Sequence, residues 1–303
     1  MIAVPSSAAA LLAGQALAAP AQQALQIQPR SVRVPYGQDV TVRGAAPATD
    51  AGHTVVLQFA RTGGSAWRQL SSSTIAGDGS FRLSSWLAQS GAVRALDTAT
   101  GTQTPLLARV GSGGTAPTSA PVPVDVIARV RVRPRSISVL GGQAILLRGR
   151  LLPAVAGRRV RLQGQQDGQW RTLTSTRTGS AGRFVLRYLS SAAGQEAIRV
   201  QFAGDRQNGR STASVGQMTI YREAGASWYD DGGTTACGFH AYYGVANRTL
   251  PCGTKVALRY NGRAVTATVD DRGPYVGGRD WDLNQNTASA LGFGGVGTVW
   301  SSQ

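Results

Sequence analysis

The sequence predicts an all-β protein: two tandem antiparallel sandwiches followed by a third, separate β unit. Three observations carry that reading. Short runs of Val, Leu, Thr and Ser alternate with polar residues between turn signals, and glycine accounts for 39 of 303 positions. A stretch of about a hundred residues occurs twice. Near the C-terminus, Lys255 to Val269 has the pattern of a hairpin, with Asn261-Gly262 as its tight turn.

The N-terminal segment 1–23 reads as a secretory signal or an unstructured start. Ala8 to Leu17 is an Ala/Leu-rich core and Ala16-Leu17-Ala18 fits a small-x-small cleavage site, although no Lys or Arg precedes Arg30. No later run is long and apolar enough to cross a bilayer. The expected protein is therefore exported.

The repeat begins at Pro29-Arg30-Ser31-Val32, which returns as Pro134-Arg135-Ser136-Ile137 at an offset of 105. Gly37-Gln38 and Val42-Arg43-Gly44 recur at the same offset, as Gly142-Gln143 and Leu147-Arg148-Gly149. Further on the offset is 103, with Trp67-Arg68 matched by Trp170-Arg171 and Phe81 by Phe184. A two-residue loop deletion explains the change. Sandwich one is expected over 24–110, a Gly/Ser/Thr/Pro-rich linker over 111–123, and sandwich two over 124–222. In Val55 to Phe59 the first, third and fifth side chains should face the core. In the second copy Val160 and Leu162 should point inward, with Arg161 and Gln163 toward water. His53 falls away from any cluster and reads as a surface residue.

The net charge of +16 is unevenly placed. From Ala224 onward six basic residues balance six acidic ones, so the excess lies in the repeats, and Lys255 is the only lysine. Such a surface attracts polyanions. Nucleic acid, anionic lipid and the acidic polymers of a bacterial envelope all fit that charge. The two cysteines, Cys237 and Cys252, could be joined in an oxidising compartment or stay reduced in the cytosol.

The third unit, 223–303, is organised around Asp270-Asp271-Arg272-Gly273-Pro274-Tyr275, where a strand ends in a rigid turn. A carboxylate there is held by a sheet and open to solvent, a setting that suits acid–base chemistry. The competing reading makes one aspartate a turn cap and pairs the other with Arg272 or Arg279.

Around this stretch lie Gly225-Ala226-Ser227-Trp228-Tyr229, Thr235-Ala236-Cys237-Gly238 and Gly244-Val245-Ala246-Asn247-Arg248-Thr249-Leu250-Pro251-Cys252-Gly253-Thr254. Gly278-Arg279-Asp280-Trp281-Asp282-Leu283 and Ala290-Leu291-Gly292 follow. In this order they resemble the double-psi β-barrel of the rare lipoprotein A (RlpA)-like family, in the cysteine-containing form typical of actinobacteria. The repeats resemble bacterial immunoglobulin-like modules by pattern alone.

The first resemblance implies a six-stranded barrel that acts on peptidoglycan strands as a lytic transglycosylase. With it the expected partners are peptidoglycan or another wall polysaccharide for the barrel and anionic wall polymers for the arginine-rich sandwiches, with no nucleic acid. The family's Asp-Arg-Gly-Pro aspartate falls on Asp271 and its Asp-Leu-Ser aspartate on Asp282, with Asn284 in place of the serine. Two departures matter. Phe239 and His240 occupy the region of the family's second catalytic residue, a glutamate, and Asn247 replaces its histidine.

Closure of the sugar's own 6-hydroxyl onto C1 needs only one carboxyl as acid and then base, so Asp271 can serve alone. Asn247 and Arg272 are candidate substrate contacts. Trp228, Tyr229, Tyr242, Tyr243, Tyr275 and Trp281 are candidates for stacking on sugar rings, about half of them expected in the core. Cys237 and Cys252 are read as a structural disulfide. A Cys-x-x-His fragment alone is too little for zinc, and neither a metal nor a cofactor is expected. The alternatives are an expansin-like glycan binder that does not cleave and an adhesin-like structural wall protein.

Overall fold

The computed structural model describes residues 25–98, 116–230 and 233–303. The expected signal segment 1–23 and the first part of the expected linker, 111–115, lie outside them. Among the described residues no helix is long and apolar enough to cross a membrane.

The first sandwich contains Gln26–Gln28 (β1), Val32–Pro35 (β2), Asp39–Ala45 (β3) and Thr54–Arg61 (β4). Arg68–Thr74 (β5), Ser80–Trp86 (β6), Gly91–Asp97 (β7) and Val122–Ile127 (β8) complete it. Its sheets run β1-β3-β6 and β2-β8-β7-β4-β5. Val55, Leu57 and Phe59 alternate into its core, as their spacing requires.

One boundary moves. The linker expected to end at Pro123 and the second sandwich expected from 124 give way to β8, which pairs with β7 and with β2. Val122, Val124 and Val126 belong to the first core, so this alternating run closes the first sandwich instead of opening the second.

The second sandwich repeats the first strand for strand. It comprises Arg129–Arg133 (β9), Ile137–Leu140 (β10), Ile145–Leu152 (β11) and Arg159–Gln166 (β12). Gln169–Arg177 (β13), Arg183–Tyr188 (β14), Gly194–Phe202 (β15) and the long Ser211–Tyr229 (β16) follow. β14-β11-β9 forms one sheet and β13-β12-β15-β16 the other, and β10 pairs with β16 in parallel as β2 does with β8.

The repeated tryptophans have a physical reason. Arg94 lies 4.1 Å over the ring of Trp67 and donates to Gln58, and Arg199 lies 4.0 Å over Trp170 and donates to Gln163. Gln163, expected to face water, is therefore buried. A bulge after Leu162 breaks the simple alternation there.

His53 also departs from expectation. Its Nδ1 lies 3.0 Å from the buried Asp97 carboxylate, with Asp50 beside both, so it belongs to a cluster. The hydrogen bond to Asp97 raises its pKa above the ordinary 6.5. The stabilisation is thus complete below about pH 6 and lost as pH climbs through the raised value. We expect His53→Gln to lower the thermal midpoint at about pH 5.5 more than at about pH 8.5. An equal loss at both would mean the pair does not titrate.

β16 continues without a linker into the third unit, so one strand serves both cores. There it is joined by Gly244–Ala246 (β17), Lys255–Tyr260 (β18), Arg263–Asp271 (β19), Trp281–Asn284 (β20), Gln285–Leu291 (α1) and Gly297–Ser301 (β21). The order β16-β20-β17-β19-β18-β21 closes because β21 pairs back onto β16. This is the six-stranded barrel the sequence implied.

The β18–β19 hairpin turns at Asn261 (φ 44°) and Gly262 (φ 83°), both in the left-handed region that this dipeptide tolerates. Asn284 caps α1 by accepting from the Thr287 N–H, and Gly292 ends it in the left-handed conformation.

Candidate functional site

β19 ends in two aspartates that the backbone sends to different places. A bulge in the β17–β19 ladder leaves Val245 opposite Val269 and Ala246 opposite Asp271, so Asp270 is the extra residue. Asp270 is fully buried, and its Oδ2 accepts from the Ala241 N–H. Gly244 makes room for it, because a Cβ there would collide with that oxygen. Asp270 is thus an internal anchor for the 235–244 loop.

Asp271 is half-exposed. Its Oδ1 accepts from the Ala236 N–H at 2.8 Å and from the Arg272 N–H at 2.8 Å. Oδ2 has no protein partner among the described residues, and none of the ion pairs there involves Asp271. The Arg272 guanidinium turns away and donates to the carbonyls of Asn247 and Leu250 and to Cys252 Sγ. The turn-cap and arginine-pair reading thus fails in its second half: one oxygen is capped, and the other is left open.

Asp271, Ala246, Asp282 and Ser227 stand in one rank across β19, β17, β20 and β16. Residues directly opposite one another share a sheet face, so the two aspartates lie on the same face with Cα atoms about 10 Å apart. Asp282 accepts from the Ser227 hydroxyl at 2.7 Å. A methyl group at Gly273 would lie 3.9 Å from the Tyr275 ring and 4.0 Å from the Ala246 Cβ, which puts Tyr275 beside this rank. Tyr275 is 80% exposed and Trp228 42%. Tyr242 and Tyr243 are exposed and stacked edge-on at 4.8 Å, while Tyr229 is half-buried.

Three expectations change. Trp281 is not a stacking residue: it is fully buried in the barrel core with Leu283 and Val299. It alternates with Asp282 along β20, so one of the two must face inward. Asn247 is committed to its own loop, its Oδ1 accepting from the Thr249 and Leu250 N–H groups and its Nδ2 donating to the Asp280 carbonyl. Arg272 is likewise a loop clamp and not an open substrate contact. We expect Asn247→Ala to cost about 2 kcal/mol of stability from these bonds. Unchanged thermal unfolding combined with lost glycan binding would restore the substrate role.

Sequence reasoning missed two contributors. Arg248 donates to the carbonyls of Pro274 and Arg279 and so pins the turn that follows Asp271. Ser227 orients Asp282. Arg248 sat in view inside the Asn-Arg-Thr-Leu-Pro run, but a carbonyl-clamping arginine has no pattern of its own. The disulfide Cys237–Cys252 is present and ties the 235–241 loop to the turn that precedes β18. That loop carries the Ala236 N–H donor and ends beside Phe239 and His240, both exposed.

Residues 222–300 match the family model described as "Lytic transglycolase", a double-psi β-barrel domain. Three curated relatives, each named "Probable endolytic peptidoglycan transglycosylase RlpA", align with part of the chain. The Synechocystis protein is 42% identical over 93 residues, 27% of this chain and 29% of its own length. The Aquifex aeolicus protein is 46% identical over 77 residues, 22% of this chain and 34% of its own length. The Nostoc protein is 44% identical over 57 residues, 18% of this chain and 15% of its own length. The chain therefore spans about a third or less of each relative. The C-terminal unit is an RlpA-like double-psi β-barrel.

Proposed function

We propose that this chain is an exported wall protein whose barrel cleaves peptidoglycan glycan strands as a lytic transglycosylase, with Asp271 as the acid and base. Segment 1–23 is then the export signal, and the two sandwiches carry the barrel on the wall. The observation that supports this most is the state of the Asp271 carboxylate. Two backbone N–H groups fix Oδ1, while Oδ2 is free of any guanidinium despite the neighbouring arginine.

Asp271 protonates the glycosidic oxygen through Oδ2, and the bond from that oxygen to C1 breaks. The sugar's 6-hydroxyl oxygen attacks C1 and its proton passes to Oδ2, restoring the acid. No water is consumed and the new end is a 1,6-anhydro sugar. Asp282, held by Ser227 on the same face, supports the positive charge that grows at C1. Tyr275 and Trp228 offer exposed rings to neighbouring sugars.

The second reading is an expansin-like binder that does not cleave. It is favoured by Phe239 and His240 standing near where the family resemblance would place a second carboxyl, and by Asn247 being spent on its loop. Incubating the full chain with denuded glycan strands, followed by mass spectrometry, separates the two. Soluble 1,6-anhydro fragments are expected. Retention on the strands without any fragments would leave the binder.

A further inference from the structure

The strongest feature outside the barrel is the outer face of the β14-β11-β9 sheet. β9 presents Arg129, Arg131 and Arg133 there, β11 presents Arg148 and Arg150, and β14 presents Arg183 and Arg187, all exposed. The register stacks them: Arg131 faces Arg150, which faces Arg183, and Arg133 faces Arg148. Like charges directly opposite one another destabilise a sheet. None of the three strands contains an aspartate or glutamate to offset them. A groove of about 1270 Å³ and a second of about 680 Å³ adjoin this sheet and share Arg131, Arg133 and Arg148.

The first sandwich is an internal control. At the matching positions of its equivalent sheet stand Gln26, Gln28, Ala45, Ser80 and Ser84, where the second copy has Arg131, Arg133, Arg150, Arg183 and Arg187. The first copy keeps two arginines on this face, Arg43 opposite Arg82, but forms without the other five, so folding does not require those. Five positions that are neutral in the first copy are arginine in the second, at an electrostatic cost.

We infer that this face binds a linear polyanion, a polyol phosphodiester of the kind carried on cell walls. Arginine presents a planar fork that pairs with phosphate oxygens. Alternate residues along β9 recur about every 6.8 Å, comparable to the repeat of a three-carbon polyol phosphate. Single-stranded nucleic acid is usually held by aromatic platforms under its bases. The exposed apolar side chains between these arginines are Leu146 and Val185, neither of them aromatic. The inference stands apart from glycan cleavage and would survive its failure.

The test is binding of fluorescent poly(glycerol phosphate) to the full chain by anisotropy across a salt series. The variant carries the first copy's residues, Arg131→Gln, Arg150→Ala and Arg183→Ser, which the fold already accommodates. Wild type should bind and weaken steeply with salt. The variant should bind at least about tenfold more weakly at 0.1 M salt, with the slope of log affinity against log salt reduced by about 2. Its thermal midpoint should be equal or higher, because like charges have been removed from a row. Equal binding by wild type and variant would overturn the inference. So would tighter binding of oligo(dT) than of the phosphodiester polymer.

Discussion

Asp271→Asn should abolish release of 1,6-anhydro fragments, lowering the rate by about a hundredfold or more, while the barrel unfolds at the wild-type temperature. The reason lies in how the two oxygens divide their work. Oδ1 accepts from the Ala236 and Arg272 N–H groups, and an asparagine oxygen can accept both bonds equally well. What the amide lacks is the other half, an oxygen that can carry a proton to the leaving group. The variant therefore removes chemistry and keeps structure. Activity close to wild type would take Asp271 out of the mechanism. A collapse in stability would instead make it a structural cap.

Removing the disulfide should have the next largest effect. Cys237 and Cys252 close a loop of 15 residues, and cross-links of that length stabilise by about 3 kcal/mol. The consequence reaches the site. Ala236 donates to Asp271 Oδ1 and Cys237 donates to the Asp270 carbonyl, so the loop held by the bridge also fixes the carboxylate. In Cys237→Ser/Cys252→Ser the barrel should melt lower and cleave more slowly, and a thiol reductant should do the same to wild type. Loss of stability with full activity below the melting point would show that the loop holds its place without the bridge.

Much of this fold could be read from the sequence because each unit states its period locally. The repeat offset of 105, the alternation in Val55 to Phe59 and the Asn261-Gly262 turn all survive unchanged in the structure. What misled was context. β8 reads like the start of the second sandwich, since nothing in an alternating Val-Pro-Val-Asp-Val-Ile run says which of two equivalent cores it will enter.

At the site, the motifs found Asp271, Asp282 and the cysteines. The division of labour between Asp270 and Asp271 came from a bulge that no periodicity announces. Trp281 looked like a sugar platform beside two aspartates, yet alternation along β20 sends it into the core. Asn247 and Arg272 looked like substrate contacts and are consumed by backbone groups of their own loops. Long polar side chains at turns have such local partners in easy reach, and only coordinates show which they take.

The most direct test is cleavage of denuded glycan strands by the full chain in heavy-oxygen water, with the new ends read by mass spectrometry. If a single carboxyl closes the sugar's own hydroxyl onto C1, the fragments end in 1,6-anhydro sugars that carry no heavy oxygen. Fragments with reducing ends labelled by solvent oxygen would mean that water is the nucleophile. A second catalytic carboxyl would then have to exist, and the one-aspartate account would be wrong.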